Sequence, residues 1–270
     1  MTVLPFAATT PVRIGRVGLR ARDADRVAGY YRSLLGLSET RRSGTTISLG
    51  VGGRDLLEIE GSSALKEDDP RSAGLFHTAF LLPSRADLAR FMRHTTDARI
   101  PVQGASDHFV SEALYLTDPE GNGVEIYADR PSETWRGADG ALKMGTEALD
   151  MENLLGEIGP GSPAWDGAPE GTMIGHVHLR VGHVGEAEAW WRDAQGFDTM
   201  AHYGASAVFL SSGGYHHHIG ANTWQSRGAG PRLADRSGLS YIELVSEVAR
   251  GETVMADPWG TEIRIAPPQS

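Results

Sequence analysis

Apolar and polar residues alternate through Ile14-Gly15-Arg16-Val17-Gly18-Leu19-Arg20, as they do in a strand with one buried face. The period then changes. Val27, Tyr31, Leu34 and Leu35 recur at helical spacing, Asp23 stands where an N-cap belongs, and Gly36 stands where a helix ends, so the pattern predicts a helix followed by short strands. The same passage returns 160 residues later without gaps: Ile174-Gly175-His176-Val177-His178-Leu179-Arg180 answers the first strand, and Trp190, Trp191, Arg192, Gly196 and Phe197 answer Tyr30, Tyr31, Arg32, Gly36 and Leu37. A repeat of this length makes the chain a tandem array.

A second kind of passage begins at Gly74-Leu75-Phe76-His77, continues as a strand over 78–82, and predicts a helix over about 85–94. Its counterpart begins at Gly238-Leu239-Ser240-Tyr241, with only residues 247–251 where the helix should stand. The chain therefore reads as an α+β protein of four tandem β-α-β-β-β modules, at about 12–61, 74–130, 171–223 and 237–267, the last truncated. Residues 131–170 hold Pro, Gly and Asp breakers around a short helical pattern at 149–158, which marks a linker between an N-terminal domain, 1–130, and a C-terminal domain, 171–270.

Composition narrows the function. The 270 residues contain no cysteine, which leaves His, Asp and Glu as the plausible metal ligands. The formal net charge of -10, from 25 basic and 35 acidic residues, argues against a nucleic-acid partner and for a small-molecule substrate. No apolar run reaches the ~18–20 residues of a membrane span, and residues 1–10 lack the pattern of a secretory signal, so a cytoplasmic protein is expected. Whether it is a homo-oligomer stays open.

The sharpest motif lies in the second module, from Asp107 to Tyr127. A strand carries Ala113 to Leu116, the turn Asp118-Pro119-Glu120-Gly121-Asn122 reverses it, and Glu125 sits on the returning strand between Val124 and Ile126. A carboxylate among apolar neighbours is either paired or bound to a metal. His108, Leu114, Tyr115, Asp118, Pro119, Gly121 and Glu125 together resemble the signature of the type I extradiol ring-cleaving dioxygenases of the vicinal oxygen chelate superfamily, with Ser106 departing from it. Gly74-Leu75-Phe76-His77, Tyr127-Ala128-Asp129-Arg130-Pro131 and Gly214-Tyr215-His216-His217-His218-Ile219-Gly220 extend the likeness to the bacterial catechol-2,3-dioxygenase subgroup.

That resemblance implies paired modules closing into open β-barrels, and a metal held by a first-strand His from each of two modules plus a last-strand Glu. First-strand positions hold Arg16, His77, His176 and Tyr241, and Arg264 aligns with Glu125. Only modules two and three together supply two histidines and a carboxylate, His77, His176 and Glu125, the set that holds non-haem Fe(II) with open positions; Mn(II) suits the same ligands. The resemblance further implies that His108 and Tyr115 are catalytic, His108 moving protons between a catechol, oxygen and the intermediate. His178 shares the face of His176, and strand alternation predicts that His216 and His218 line the same cup, as substrate-binding groups or as a further ligand, with His217 turned away. The expected partners are a small aromatic diol and O2. A glyoxalase- or epimerase-like metal enzyme and a metal-free protein that sequesters aromatic ligands stay open as alternatives.

Overall fold

The structure, a computed structural model, describes residues 5–268; of the stretch 1–10 read for a targeting signal, residues 1–4 lie outside the described residues. Module one contributes β1 (Val12–Ala21), α1 (Ala24–Leu35), β2 (Ser38–Ser43), β3 (Thr46–Val51) and β4 (Arg54–Gly61). Module two contributes β5 (Gly74–Leu81), α2 (Arg85–Asp97), β6 (Gly104–Asp107), β7 (Ser111–Thr117) and β8 (Gly123–Asp129). The connecting segment carries β9 (Glu147–Ala148) and α3 (Met151–Leu155). Module three follows as β10 (Met173–Arg180), α4 (Val184–Gln195), β11 (Asp198–Tyr203), β12 (Ala207–Ser211) and β13 (Ile219–Asn222), and module four as β14 (Gly238–Ser246), β15 (Thr253–Ala256) and β16 (Glu262–Ala266).

Local chemistry sets the boundaries. The Asp23 carboxylate accepts from the backbone N–H of Arg26, capping α1, and Gly36 ends that helix at φ 64°, a conformation that favours a residue without Cβ. The apolar stripe of α1 buries Val27, Tyr31, Leu34 and Leu35, and Trp191 of α4 and Phe91 of α2 are buried in the corresponding way. Module four has no helix, and residues 247–252 turn straight into β15.

The sheets are assembled from first strands. β1 pairs antiparallel with β14, and β10 with β5, so one sheet has the order β15-β16-β14-β1-β4-β3-β2 and the other β11-β12-β13-β10-β5-β8-β7-β6-β9. Modules one and four thus share one curled sheet and modules two and three the other, across the division drawn at the connecting segment. That segment does more than connect: β9 extends the second sheet by pairing with β6, and Arg85 at the start of α2 bonds Glu112, Asn153 and Glu157, tying α3 and its neighbour down. No helix among the described residues is long and apolar enough to cross a membrane.

Candidate metal centre

Register builds the site. Across β10, β5, β8 and β7 the paired residues His176, Ala79, Glu125 and Tyr115 stand in one line, and residues opposite one another on neighbouring strands send their side chains to the same face. His77 lies two residues before Ala79 on that face, opposite His178. Ala79 is the small member of the line, so the longer side chains on either side of it close over its methyl group.

The result is a convergence of three buried donors. His77 Nε2 lies 2.9 Å from Glu125 Oε2, His176 Nε2 lies 3.1 Å from the same oxygen, and the two Nε2 atoms are 3.3 Å apart. Burial lowers the pKa of His176 to about 4 against the pull of Glu125, keeping the imidazole neutral. Burial would raise the pKa of Glu125, but the two imidazoles hold it well below the usual carboxylate range. At His176 and Glu125 these are the forms that bind a metal, so neither need release a proton on binding at neutral pH. Donors at right angles around one ion, with bonds of about 2.1 Å, stand about 3 Å apart, which these separations match. His77, Glu125 and His176 form the one such cluster among the described residues.

Beside it lies a hydrogen-bonded pair. His108 Nδ1 donates to the carbonyl of Gly145 at 2.7 Å, which leaves Nε2 as the acceptor, and Tyr115 Oη donates to it at 2.6 Å. Burial first, then the Glu125 charge, raises the Tyr115 pKa well above its usual value, so the phenol stays a donor. His108 sits in the β6–β7 turn, where Phe109 takes the left-handed conformation at φ 66° with its N–H bonded to Asp107. Gly145 belongs to the connecting segment, and sequence reading missed it because a backbone carbonyl that fixes a tautomer leaves no side-chain signature.

These groups open onto a cavity of about 500 Å³, lined further by His178, whose Nε2 is buried without a partner, and by His217. The expectation for the triple histidine is reversed. His217 faces the cavity, its ring centroid 4.1 Å from that of His176, whereas His216 bonds Asp129 at 2.8 Å and His218 bonds Thr10 and Ser211, both away from it. The two-residue alternation is kept, with His217 opposite in sense to His216 and His218, but its phase is inverted: β13 begins only at Ile219, and Gly213 and Gly214, at φ 66° and 79°, turn the chain before it.

His218 has a measurable cost in acid. Burial, with His216 and His176 adding to it, pushes its pKa down to about 3. The unfolded imidazole titrates near 6.5, so unfolding takes up a proton below that pH, and the stabilisation present above about 6.5 is lost as pH falls towards 3. Urea unfolding of His218→Asn should therefore lose less stability per pH unit than wild type over this window, by up to about 1.4 kcal/mol per unit. Equal slopes would show that His218 is not the titrating group.

The first sheet carries the same positions with other chemistry. Arg16, Glu243 and Arg264 stand in the line that His176, Ala79 and Glu125 occupy in the second sheet, and Tyr241 takes the place of His77. Arg16 bonds Glu243 at 2.7 Å, the Arg264 guanidinium lies 3.5 Å from the Tyr241 ring centre, and Tyr241 Oη donates to Glu58 at 3.0 Å. Guanidinium groups do not deprotonate and repel a divalent cation. Crystals soaked in Fe(II) or Mn(II) should show anomalous density at His77 and His176 and none beside Arg16 and Tyr241; the opposite distribution would overturn the assignment.

Comparison with known proteins agrees with this architecture. The profile of the Glyoxalase/Bleomycin resistance protein/Dioxygenase superfamily matches residues 13–126. Catechol-2,3-dioxygenase of Bacillus subtilis (strain 168) is 41% identical over 236 residues, covering 86% of this chain and 82% of that protein. Biphenyl-2,3-diol 1,2-dioxygenase 3 of Rhodococcus globerulus is 41% identical over a shorter stretch of 69 residues, 24% of this chain and 34% of that protein. Among solved structures, glyoxalase I from Zea mays superposes with a TM-score of 0.57 at 12% identity, covering 95% of this chain and 92% of that one, a likeness of fold alone.

Proposed function

The chain belongs to the Glyoxalase/Bleomycin resistance protein/Dioxygenase superfamily, and from that premise we propose that it is an extradiol dioxygenase, cleaving a catechol-type substrate with O2 at an Fe(II) centre held by His77, Glu125 and His176. The observation that carries this reading is the buried cluster of two imidazoles and one carboxylate bordering the cavity. Likeness to a catechol-2,3-dioxygenase over most of the chain supports the same reaction. Mn(II) suits the same donors.

A metal on one face of these donors would bind the diol oxygens and O2 together and carry charge between them. The chain's own residues supply the rest. Tyr115 and His108 form the proton-handling pair: Nδ1 donates to Gly145, which fixes the tautomer, and the phenol donates to Nε2, the ring nitrogen through which a proton would be exchanged. His178, whose ring borders the same space, is the further substrate contact proposed there. Phe76, Phe209 and the ring of His217 line the cavity beside these polar groups.

The decisive experiment is metal analysis combined with O2 uptake on catechol. Bound iron with stoichiometric O2 consumption and a ring-cleaved product is the expected result. Iron without O2 uptake would move the chain to the proton-transfer enzymes of the superfamily, and binding of aromatics with no metal at all would make it a sequestering protein.

A further inference from the structure

We propose that Asp129 and His216 are positioning residues for the reaction: neither borders the cavity that holds the candidate ligands, and together they fix which nitrogen of His217 carries the hydrogen. The kinetic consequence rests on the extradiol reading above; the place of the hydrogen does not.

The three side chains form one line of hydrogen bonds. Glu125, Tyr127 and Asp129 alternate onto the same face of β8, so the strand that supplies the candidate carboxylate ligand also carries Asp129 at its end. Asp129 Oδ1 lies 2.8 Å from His216 Nε2, and His216 Nδ1 lies 2.8 Å from His217 Nδ1. His216 is fully buried, and His217 is the member that borders the cavity, its ring against that of His176.

Polarity runs through this line in one direction. A carboxylate only accepts, so His216 Nε2 carries a hydrogen and donates it. A second hydrogen, on Nδ1, would put a cation on a ring without exposed surface and 2.8 Å from another ring nitrogen, so the neutral ring is favoured. His216 Nδ1 is therefore bare, and His217 Nδ1 donates to it. Burial, with His176 and His216 adding to it, holds the His217 pKa well below the usual imidazole value, so that ring has a single hydrogen and its Nε2 is left as an acceptor.

The Asp129 charge is kept for this line. Arg85 and Arg130 border the same second cavity as Asp129, of about 540 Å³, yet Arg85 bonds Glu112 and Glu157 while Arg130 bonds Asp107 and Glu112. Among the described residues the Asp129 side chain bonds His216 and, at 3.1 Å, Tyr215 Oη, and its Oδ2 is buried with no partner. A carboxylate that merely filled space there would gain more from either guanidinium.

Long-range proton–nitrogen NMR correlation spectra of the metal-free full chain at about pH 8, above the ordinary imidazole range, read the hydrogen on each ring nitrogen, and His217→Gln marks the His217 signals. Wild type should show His217 with a protonated Nδ1 and a bare Nε2. Asp129→Asn, whose amide donates as well as accepts, should move a large part of His217 to the opposite pattern. In the iron-loaded enzyme it should lower kcat on catechol on the order of tenfold, the scale of loss when the partner behind a site histidine is removed, with iron content and anaerobic catechol affinity kept. Asp129→Glu should restore the wild-type pattern and part of kcat, and Tyr215→Phe, which takes away the other bond to Asp129, should leave the His217 pattern as it is. A hydrogen on His217 Nε2 in wild type, or a pattern indifferent to Asp129→Asn, would overturn the inference, and a changed pattern with kcat unaltered would overturn the role in the reaction. The stated patterns in a protein that takes up no O2 with catechol would instead remove the dioxygenase reading and leave the hydrogen-bonded line standing.

Discussion

His176→Ala should emerge from purification without iron and without O2 uptake on catechol. The three donors lie within 4.8 Å of one another and each is buried, so removing one leaves a site with two ligands and a hole where the third stood. Loss of a residue that merely supports a metal site costs about 10- to 100-fold in affinity or activity; loss of one of only three ligands should exceed that range. His77→Ala and Glu125→Ala should behave alike. Glu125→Gln is the finer probe, because it keeps the shape and removes the one formal negative charge that faces the two imidazoles. The urea midpoints of these variants should stay near that of the metal-free wild type. Full iron occupancy in His176→Ala would dissolve the pairing of modules two and three as a metal site.

The second large effect is on turnover alone. His108→Ala should keep its iron and bind catechol, yet lose about 10²- to 10⁴-fold in kcat, the usual contribution of a positioned acid or base. Tyr115→Phe removes the hydroxyl 2.6 Å from His108 Nε2 and should lower kcat in the same direction. Because the two act as one hydrogen-bonded unit, the double variant should be hardly slower than the worse single one. Iron content and anaerobic substrate titration check the first part, and steady-state O2 uptake the second. Unchanged kcat in His108→Ala would leave this histidine a brace for the β6–β7 turn.

Much of this was legible in the residues because it rests on period and register. The spacing of Val27, Tyr31, Leu34 and Leu35 marks α1, and the gapless return of that passage marks the module. The matched positions of Arg16, His77, His176 and Tyr241 separate the sheet that carries the candidate ligands from the one that carries guanidinium groups, and in the register Arg16 lies opposite Glu243 as His176 lies opposite Ala79. What failed did so where the backbone leaves regular structure. His216 and His218 belong in the cup only where the strand phase is counted through regular extended chain; the paired glycines before them reset that phase and bring His217 in instead. Gly145 was invisible for another reason: it acts through its carbonyl, and its segment reads as a spacer until β9 is seen to extend the sheet beside His108. Glu58, which accepts from Tyr241, carries no such mark in the sequence, because no Asp-Pro-x-Gly turn like that before Glu125 precedes it.

The pairing of first strands also sets an order of events during synthesis. β5 and β10 are separated by the rest of module two and the connecting segment, residues 82–172, so modules two and three can join once module three has been made. β1 must wait for β14, whose register places Val12 against Ser246 across nearly the whole chain. Closing a loop of that length is slower and costs more chain entropy than closing the inner one. The sheet that holds the reactive cluster should therefore be assembled while the other half is still an open edge, and a chain arrested before module four would carry a formed site beside an unpaired β1 ready to recruit a strand from another molecule.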